Sequence, residues 1–85
     1  MKEIKYVLKD PLGMHARPAG KMVRMAGTYK SEIQIGSPKK MVNAKRIIGV
    51  MALTLKQGEE VTLSFEGEDE QEAALTIGKY LEENL

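Results

Sequence analysis

Pro11-Leu12-Gly13-Met14-His15-Ala16-Arg17-Pro18 is where the chain changes its period. Before it, Ile4, Tyr6 and Leu8 recur at every second position, as on one face of a strand. After it, Ala16 to Met25 are mostly good helix formers, with Met22, Val23 and Met25 as the apolar component and Lys21 and Arg24 as the basic one. Pro18 is tolerated only within a first helical turn, where its missing N–H costs nothing. Pro11 to Gly13 is therefore a turn, and His15 falls at or just before the start of a helix.

Working outward, Ile33 and Ile35 mark a second strand. Gly36-Ser37-Pro38 turns the chain into Met41-Val42-Asn43, a hairpin partner. Val61, Leu63 and Phe65 alternate as a further strand after Gln57-Gly58. Asp69 with Glu72 three residues later resembles a capping box, acidic residues crowd the turn that follows, and Ala73, Ala74, Ile77, Tyr80 and Leu81 recur at helical spacing. The apolar stretch Ile47 to Leu55 is ambiguous by periodicity alone. No internal repeat, linker or low-complexity segment interrupts the chain, and residues 1–85 are expected to form one domain.

Composition excludes several classes of function. Thirteen basic against twelve acidic residues leave a net charge of +1 and no global case for a nucleic-acid binder. One Phe and three Tyr, with Tyr6 and Phe65 placed to pack, do not make an aromatic base-stacking platform. There is no cysteine, hence no disulfide, thiolate metal site or cysteine nucleophile. A single histidine rules out a His-pair zinc site, and the scattered glycines form no P-loop. The chain opens directly on strand-like alternation with no apolar signal core, and Ile47 to Leu55, which includes Gly49 and Thr54, is far shorter than a bilayer span. A soluble, cytoplasmic protein without direct membrane insertion is the expectation. The late acidic run reads as dipole complement and solvated surface rather than as a catalytic pair.

The chemistry concentrates at the histidine. At a helix start the first N–H groups lack intrahelical partners and the dipole presents positive potential, which stabilises an anion by about 0.3–1 kcal/mol at an exposed site. Arg17 adds a guanidinium that forks onto phosphate oxygens, as a lysine would not. A neutral imidazole attacking a phosphoryl donor yields a phosphoramidate suited to onward transfer. The same residues also read as an ordinary surface helix start with a solvated arginine, and the residue pattern by itself leaves both readings open.

The stretch from Gly13 to Pro18 resembles the active-site signature of the HPr family, the histidine-containing phosphocarriers of the phosphoenolpyruvate-dependent sugar phosphotransferase system. Val42-Asn43-Ala44-Lys45-Arg46-Ile47-Ile48-Gly49-Val50-Met51 resembles that family's second helix and its approach, and Phe65 to Ala73 resembles the entry to its last helix. The likeness covers essentially all 85 residues without a large insertion. It implies an α+β fold, an HPr-like open-faced β-sandwich in the order βαββαβα, with a four-stranded, mainly antiparallel sheet carrying three helices on one face. It also implies that the first part of Ile47 to Leu55 is a short helix. His15 would accept phosphate from phospho-enzyme I and pass it to enzyme IIA of sugar permeases, with Arg17 as its clamp and Ala16 and Pro18 supporting the phosphate. Such a carrier is a covalent intermediate between larger enzymes, without turnover of its own. No metal or organic cofactor is implied. Ile47, Ile48 and Met51 would form an apolar docking surface ringed by Arg24 and Lys45, and transient exchange of partners suggests a monomer. The alternative function is a regulatory partner-binding module on the same scaffold, without phosphoryl flux.

Two positions depart from the family pattern. Leu12 stands where many members carry a short polar residue able to hydrogen-bond near the histidine, and it supplies neither cap nor phosphate contact. Arg46 stands where Gram-positive relatives carry a regulatory serine, and it has no hydroxyl to modify. A cation at a helix start is mildly unfavourable with the dipole, so its value lies in positive charge offered to an acidic partner. Incubation with the kinase that modifies that serine, plus ATP, is expected to leave the second helix free of phosphate by mass spectrometry.

Overall fold

The alternating residues build a four-stranded sheet in a computed structural model that describes the whole chain, Met1–Leu85. The elements in order are β1 (Lys2–Val7), α1 (Ala16–Gly27), β2 (Glu32–Ser37), β3 (Lys40–Asn43), α2 (Ile47–Ala52), β4 (Glu60–Glu66) and α3 (Glu70–Asn84). The sheet runs β1-β4-β2-β3 with every neighbouring pair antiparallel. Register lines up one apolar row across all four strands: Ile4 faces Leu63, Leu63 faces Ile35, and Ile35 faces Val42. Because side chains alternate along a strand, the whole row points to one side. There, Leu63, Ile35 and their neighbours Val61, Phe65 and Ile33 join Ala19, Met22 and Ala26 of α1, Val50 of α2, and Ala73, Ile77 and Leu81 of α3 in a single buried cluster. The fold is the expected α+β open-faced sandwich.

Two local expectations need correction. Gly36 and Ser37 belong to β2, not to a turn, because the ladder continues through Gly36 opposite Met41 and Ser37 opposite Lys40. A side chain at Gly36 would strike the Lys40 carbonyl and lie 3.1 Å from the Met41 Cα, which explains the glycine within a strand. The turn itself is Pro38–Lys39.

The second correction concerns Asp69, which precedes α3 but makes no side-chain cap to it. Its carboxylate reaches across to the segment between α1 and β2, accepting from the Lys30 N–H at 2.8 Å, the Ser31 N–H at 2.9 Å and the Ser31 hydroxyl. Three donors outside the helix outcompete one within it. Glu70, the first residue of α3, accepts from the Gly67 N–H at 3.1 Å and pairs with the Met1 ammonium at 2.9 Å.

These contacts make part of the fold's stability depend on ionised carboxylates. The Ser31 hydroxyl, followed by the Lys30 N–H, holds Asp69 below its ordinary value of 3.8 against an opposing effect of burial. The Met1 ammonium and then the Gly67 N–H hold Glu70 below 4.5. A carboxyl depressed in the folded chain stabilises it above the unfolded value and loses that contribution as pH falls through the folded value. Urea midpoints are therefore expected to be flat near neutrality and to fall below about pH 4. Asp69→Asn should flatten part of that acid limb, as followed by circular dichroism.

Candidate functional site

The loop from β1 into α1 is fixed by backbone bonds before any side chain contributes. The Leu8 N–H donates to the Glu59 carbonyl at 3.0 Å, and the Gly58 N–H donates back to Leu8 at 2.8 Å. The Met14 N–H donates to Leu55 at 3.0 Å, and both Lys9 and Asp10 donate to the Leu85 carbonyl. Gly13 has a φ of +64°. A Cβ there would strike the Leu55 carbonyl and lie 2.8 Å from the Lys56 Cα, so glycine is required on two counts.

This loop delivers His15 as the N-cap residue of α1, in extended conformation with φ −99° and ψ 171° and with no cap bond from its imidazole. Its carbonyl accepts from the Ala19 N–H at 3.0 Å. Pro18 has no N–H, and the Ala16 and Arg17 N–H groups make no hydrogen bond, so two donors stand free at the helix start. The imidazole is about one third exposed, and its Nε2 lies 3.4 Å from Oδ2 of Asp10.

His15 and Arg17 line one open depression of ≈ 350 Å³ with Pro18. Lys21 and Arg24 of α1 add two more cations, Asp10 is its one acid, and Tyr80 and Asn84 of α3 close the far side. The Lys21 ammonium lies 5.8 Å from the centre of the Tyr80 ring. The Tyr80 hydroxyl donates to the Pro18 carbonyl at 2.8 Å, tying α3 to the first turn of α1. Burial pushes the Tyr80 phenol up, with the Arg24 charge opposing, so it remains a neutral donor near pH 7.

Asp10 is the residue that sequence reasoning missed. Its Oδ1 accepts from the Leu12 N–H at 2.8 Å, so the backbone of Leu12 is capped although its side chain is 71% exposed and apolar. The polar group expected at position 12 comes instead from two residues earlier. An acid ahead of a Pro-x-Gly turn was the available signal, since Asp commonly hydrogen-bonds the backbone two residues on.

Of the expected docking residues, Arg24 lines this depression and the others lie outside it. Arg46, Ile47 and Ile48 line a second one of ≈ 650 Å³ with Lys45 and with Val23 of α1. Ile48 is 84% exposed and Ile47 38%, whereas Val50 is the one buried residue of α2. Met51 is half-buried and packs against the core. Arg24 is on the histidine side, and Lys45 is half-buried with its ammonium donating to the Tyr29 carbonyl at 2.8 Å.

Tyr80→Phe removes one good hydrogen bond to the first turn of α1 and keeps the ring. A loss of about 0.5–1.5 kcal/mol in urea unfolding is expected, together with faster amide exchange at Ala19.

Comparison with known proteins agrees with this geometry. Residues 2–83 match the family described as PTS HPr component phosphorylation site. The chain is 45% identical over 83 residues to a phosphocarrier protein HPr of Lysinibacillus sphaericus, covering 98% of this chain and 94% of the relative. A crystal structure of HPr from Thermoanaerobacter tengcongensis is 43% identical and superposes with a TM-score of 0.91, over 96% of this chain and 92% of the other. The Bacillus subtilis catabolite-repression protein Crh, solved as a dimer with a swapped domain, is 39% identical with a TM-score of 0.77, over 100% of this chain and 98% of the other. A match spanning nearly the whole sequence, on a fold that sets the lone histidine at a helix start among cations, places this chain in the HPr family of phosphotransferase-system phosphocarriers.

Proposed function

We propose that His15 is the phosphoryl acceptor through which this phosphocarrier works, taking the group from phospho-enzyme I and giving it to enzyme IIA components. The observation that carries this reading is the partly exposed imidazole beside the free Ala16 and Arg17 N–H groups and three cations. Nε2 is turned to Asp10, so Nδ1 is the nitrogen left to react. In the forward step the Nδ1 lone pair forms a bond to phosphorus while the donor's nitrogen–phosphorus bond breaks and its electron pair returns to the donor imidazole. The second step is the same exchange toward the acceptor. Arg17 grips the phosphoryl oxygens in both, Ala16 and Arg17 amides add two neutral donors, and Pro18 fixes the turn that presents them.

Partners dock on the neighbouring face, where exposed Ile47 and Ile48 supply apolar contact and Arg46 a free cation. Lys45, tied to Tyr29, serves chiefly to hold the approach to α2, and Arg24 serves the histidine side. In this reading the chain acts as a monomer in the cytoplasm, exchanging one transient partner for another. No helix is long and apolar enough to cross a membrane. The likeness to Crh favours a second reading, a regulatory binding module on the same scaffold, in which His15 carries no flux.

Incubation with phosphoenolpyruvate and catalytic enzyme I is expected to add one acid-labile phosphate, seen by intact mass and phosphorus NMR and lost on adding enzyme IIA. His15→Ala should take up none. Arg17→Ala should slow labelling by about tenfold or more, equivalent to roughly 1.4 kcal/mol. A folded protein that stays unlabelled beside an active enzyme I would give the regulatory reading precedence.

A further inference from the structure

The depression at the histidine is lined by one acidic side chain, Asp10, and its placement is specified from three sides. The Asp10 N–H donates to the Leu85 carbonyl at 2.9 Å, and its carbonyl accepts from the Gly13 N–H at 2.8 Å. Its Oδ1 is taken by the Leu12 N–H at 2.8 Å, which leaves Oδ2 facing Nε2 of His15 at 3.4 Å. The other charged or titratable groups around the ring are Arg17, Lys21 and Arg24 from α1 and Tyr80 from α3. None of these can accept a proton from the imidazole as a carboxylate can. The Leu12 N–H, ahead of His15 itself, holds Asp10 below its ordinary value of 3.8 against burial, so it is ionised throughout the neutral range.

An ionised carboxylate offers only lone pairs, so the ring nitrogen that faces it must carry the proton. We propose that Asp10 is a positioning residue for phosphoryl transfer: it holds the neutral His15 ring with its proton on Nε2, keeps the Nδ1 lone pair available, and stabilises the positive charge the ring gains when Nδ1 is phosphorylated. This rests on the reading of His15 as the acceptor. At 3.4 Å the contact is long for an N–H···O bond. It shortens as the ring becomes cationic, because charge-assisted bonds are shorter and stronger than neutral ones. The hold is thus weakest before phosphorylation and strongest on the phosphorylated state, which favours the forward step.

Asp10→Asn separates this role from the turn it also supports. The asparagine Oδ1 can still accept the Leu12 N–H, which directs its NH2 at Nε2. A donor in that place makes Nε2 an acceptor and moves the ring proton to Nδ1, the reacting nitrogen. The test is long-range 1H–15N correlation of the imidazole at a pH where the ring is neutral, together with the rate of phosphorylation by enzyme I. The unsubstituted protein should show almost pure Nε2–H, and Asp10→Asn a mixture or inversion toward Nδ1–H with labelling roughly tenfold slower, as orienting groups behind a reactive imidazole commonly cost when lost. A neutral ring protonated on Nδ1 in the unsubstituted protein overturns the proposal without any variant. So does an unchanged tautomer and rate in a folded Asp10→Asn protein. If His15 never takes phosphate, the reading of the acceptor fails, while the NMR result still decides whether Asp10 sets the tautomer.

Discussion

The histidine end of this molecule depends on a left-handed turn at Gly13 pressed against the backbone of Leu55 and Lys56. The Met14 N–H closes the contact on Leu55, and the next residue is the helix cap. That second segment is within reach because it leads into β4, the strand that pairs with β1. The antiparallel β1–β4 pair therefore brings the start of one connection against the end of another, although some forty residues separate them along the chain. Leu85, accepting from the Lys9 and Asp10 N–H groups, adds a third segment to the same corner. A site assembled from an N-terminal loop, a mid-chain turn and a C-terminal helix end exists only in the folded state, yet none of its backbone partners contributes a reactive group.

Charge is arranged on the same principle of local rather than global balance. A net charge of +1 conceals an uneven surface. Arg17, Lys21 and Arg24 fall on one side of α1 at helical spacing and share the depression with His15. Among the late acids, Asp69 and Glu70 are engaged in holding Lys30, Ser31, Gly67 and the amino terminus, so two of them are structural rather than merely solvated. A dianionic phosphoryl group would meet three cations and one acid at the histidine. That acid, Asp10, is directed by Leu12 and lies against the ring nitrogen.

The parts of this arrangement legible in the sequence are those set by short-range periodicity. Ile33 and Ile35, then Val61, Leu63 and Phe65, announce their strands, and Pro18 locates the helix start to within a residue. The capping reading of Asp69 failed because local spacing says nothing of Lys30 and Ser31, almost forty residues away, whose donors took the carboxylate. Gly36 misled for a similar reason: its lack of a side chain serves a close approach by the Lys40 carbonyl of the paired strand, not a turn. Tyr80 shows its helical periodicity in the sequence, but its bond to the Pro18 carbonyl is a product of how α3 crosses α1. Asp10 lay in view, and only the folding back of its turn onto the ring gives it a second partner.

Pro18 has a further consequence for a site that must release what it binds. A regular helix start offers several free N–H groups, and each one aimed at a phosphoryl group would hold it harder. Here Ala19 is already bonded to the His15 carbonyl and Pro18 has no N–H, so only Ala16 and Arg17 remain. The proline both presets the backbone for the first turn and removes a donor from it. On the proposed reading of His15 as acceptor, the remaining contacts to the phosphoryl group fall to side chains, with Arg17 the nearest candidate in sequence. A partly exposed imidazole with two backbone donors suits transfer in both directions, since a more enclosing cradle would lower the phosphorylated state and slow its discharge to the next acceptor.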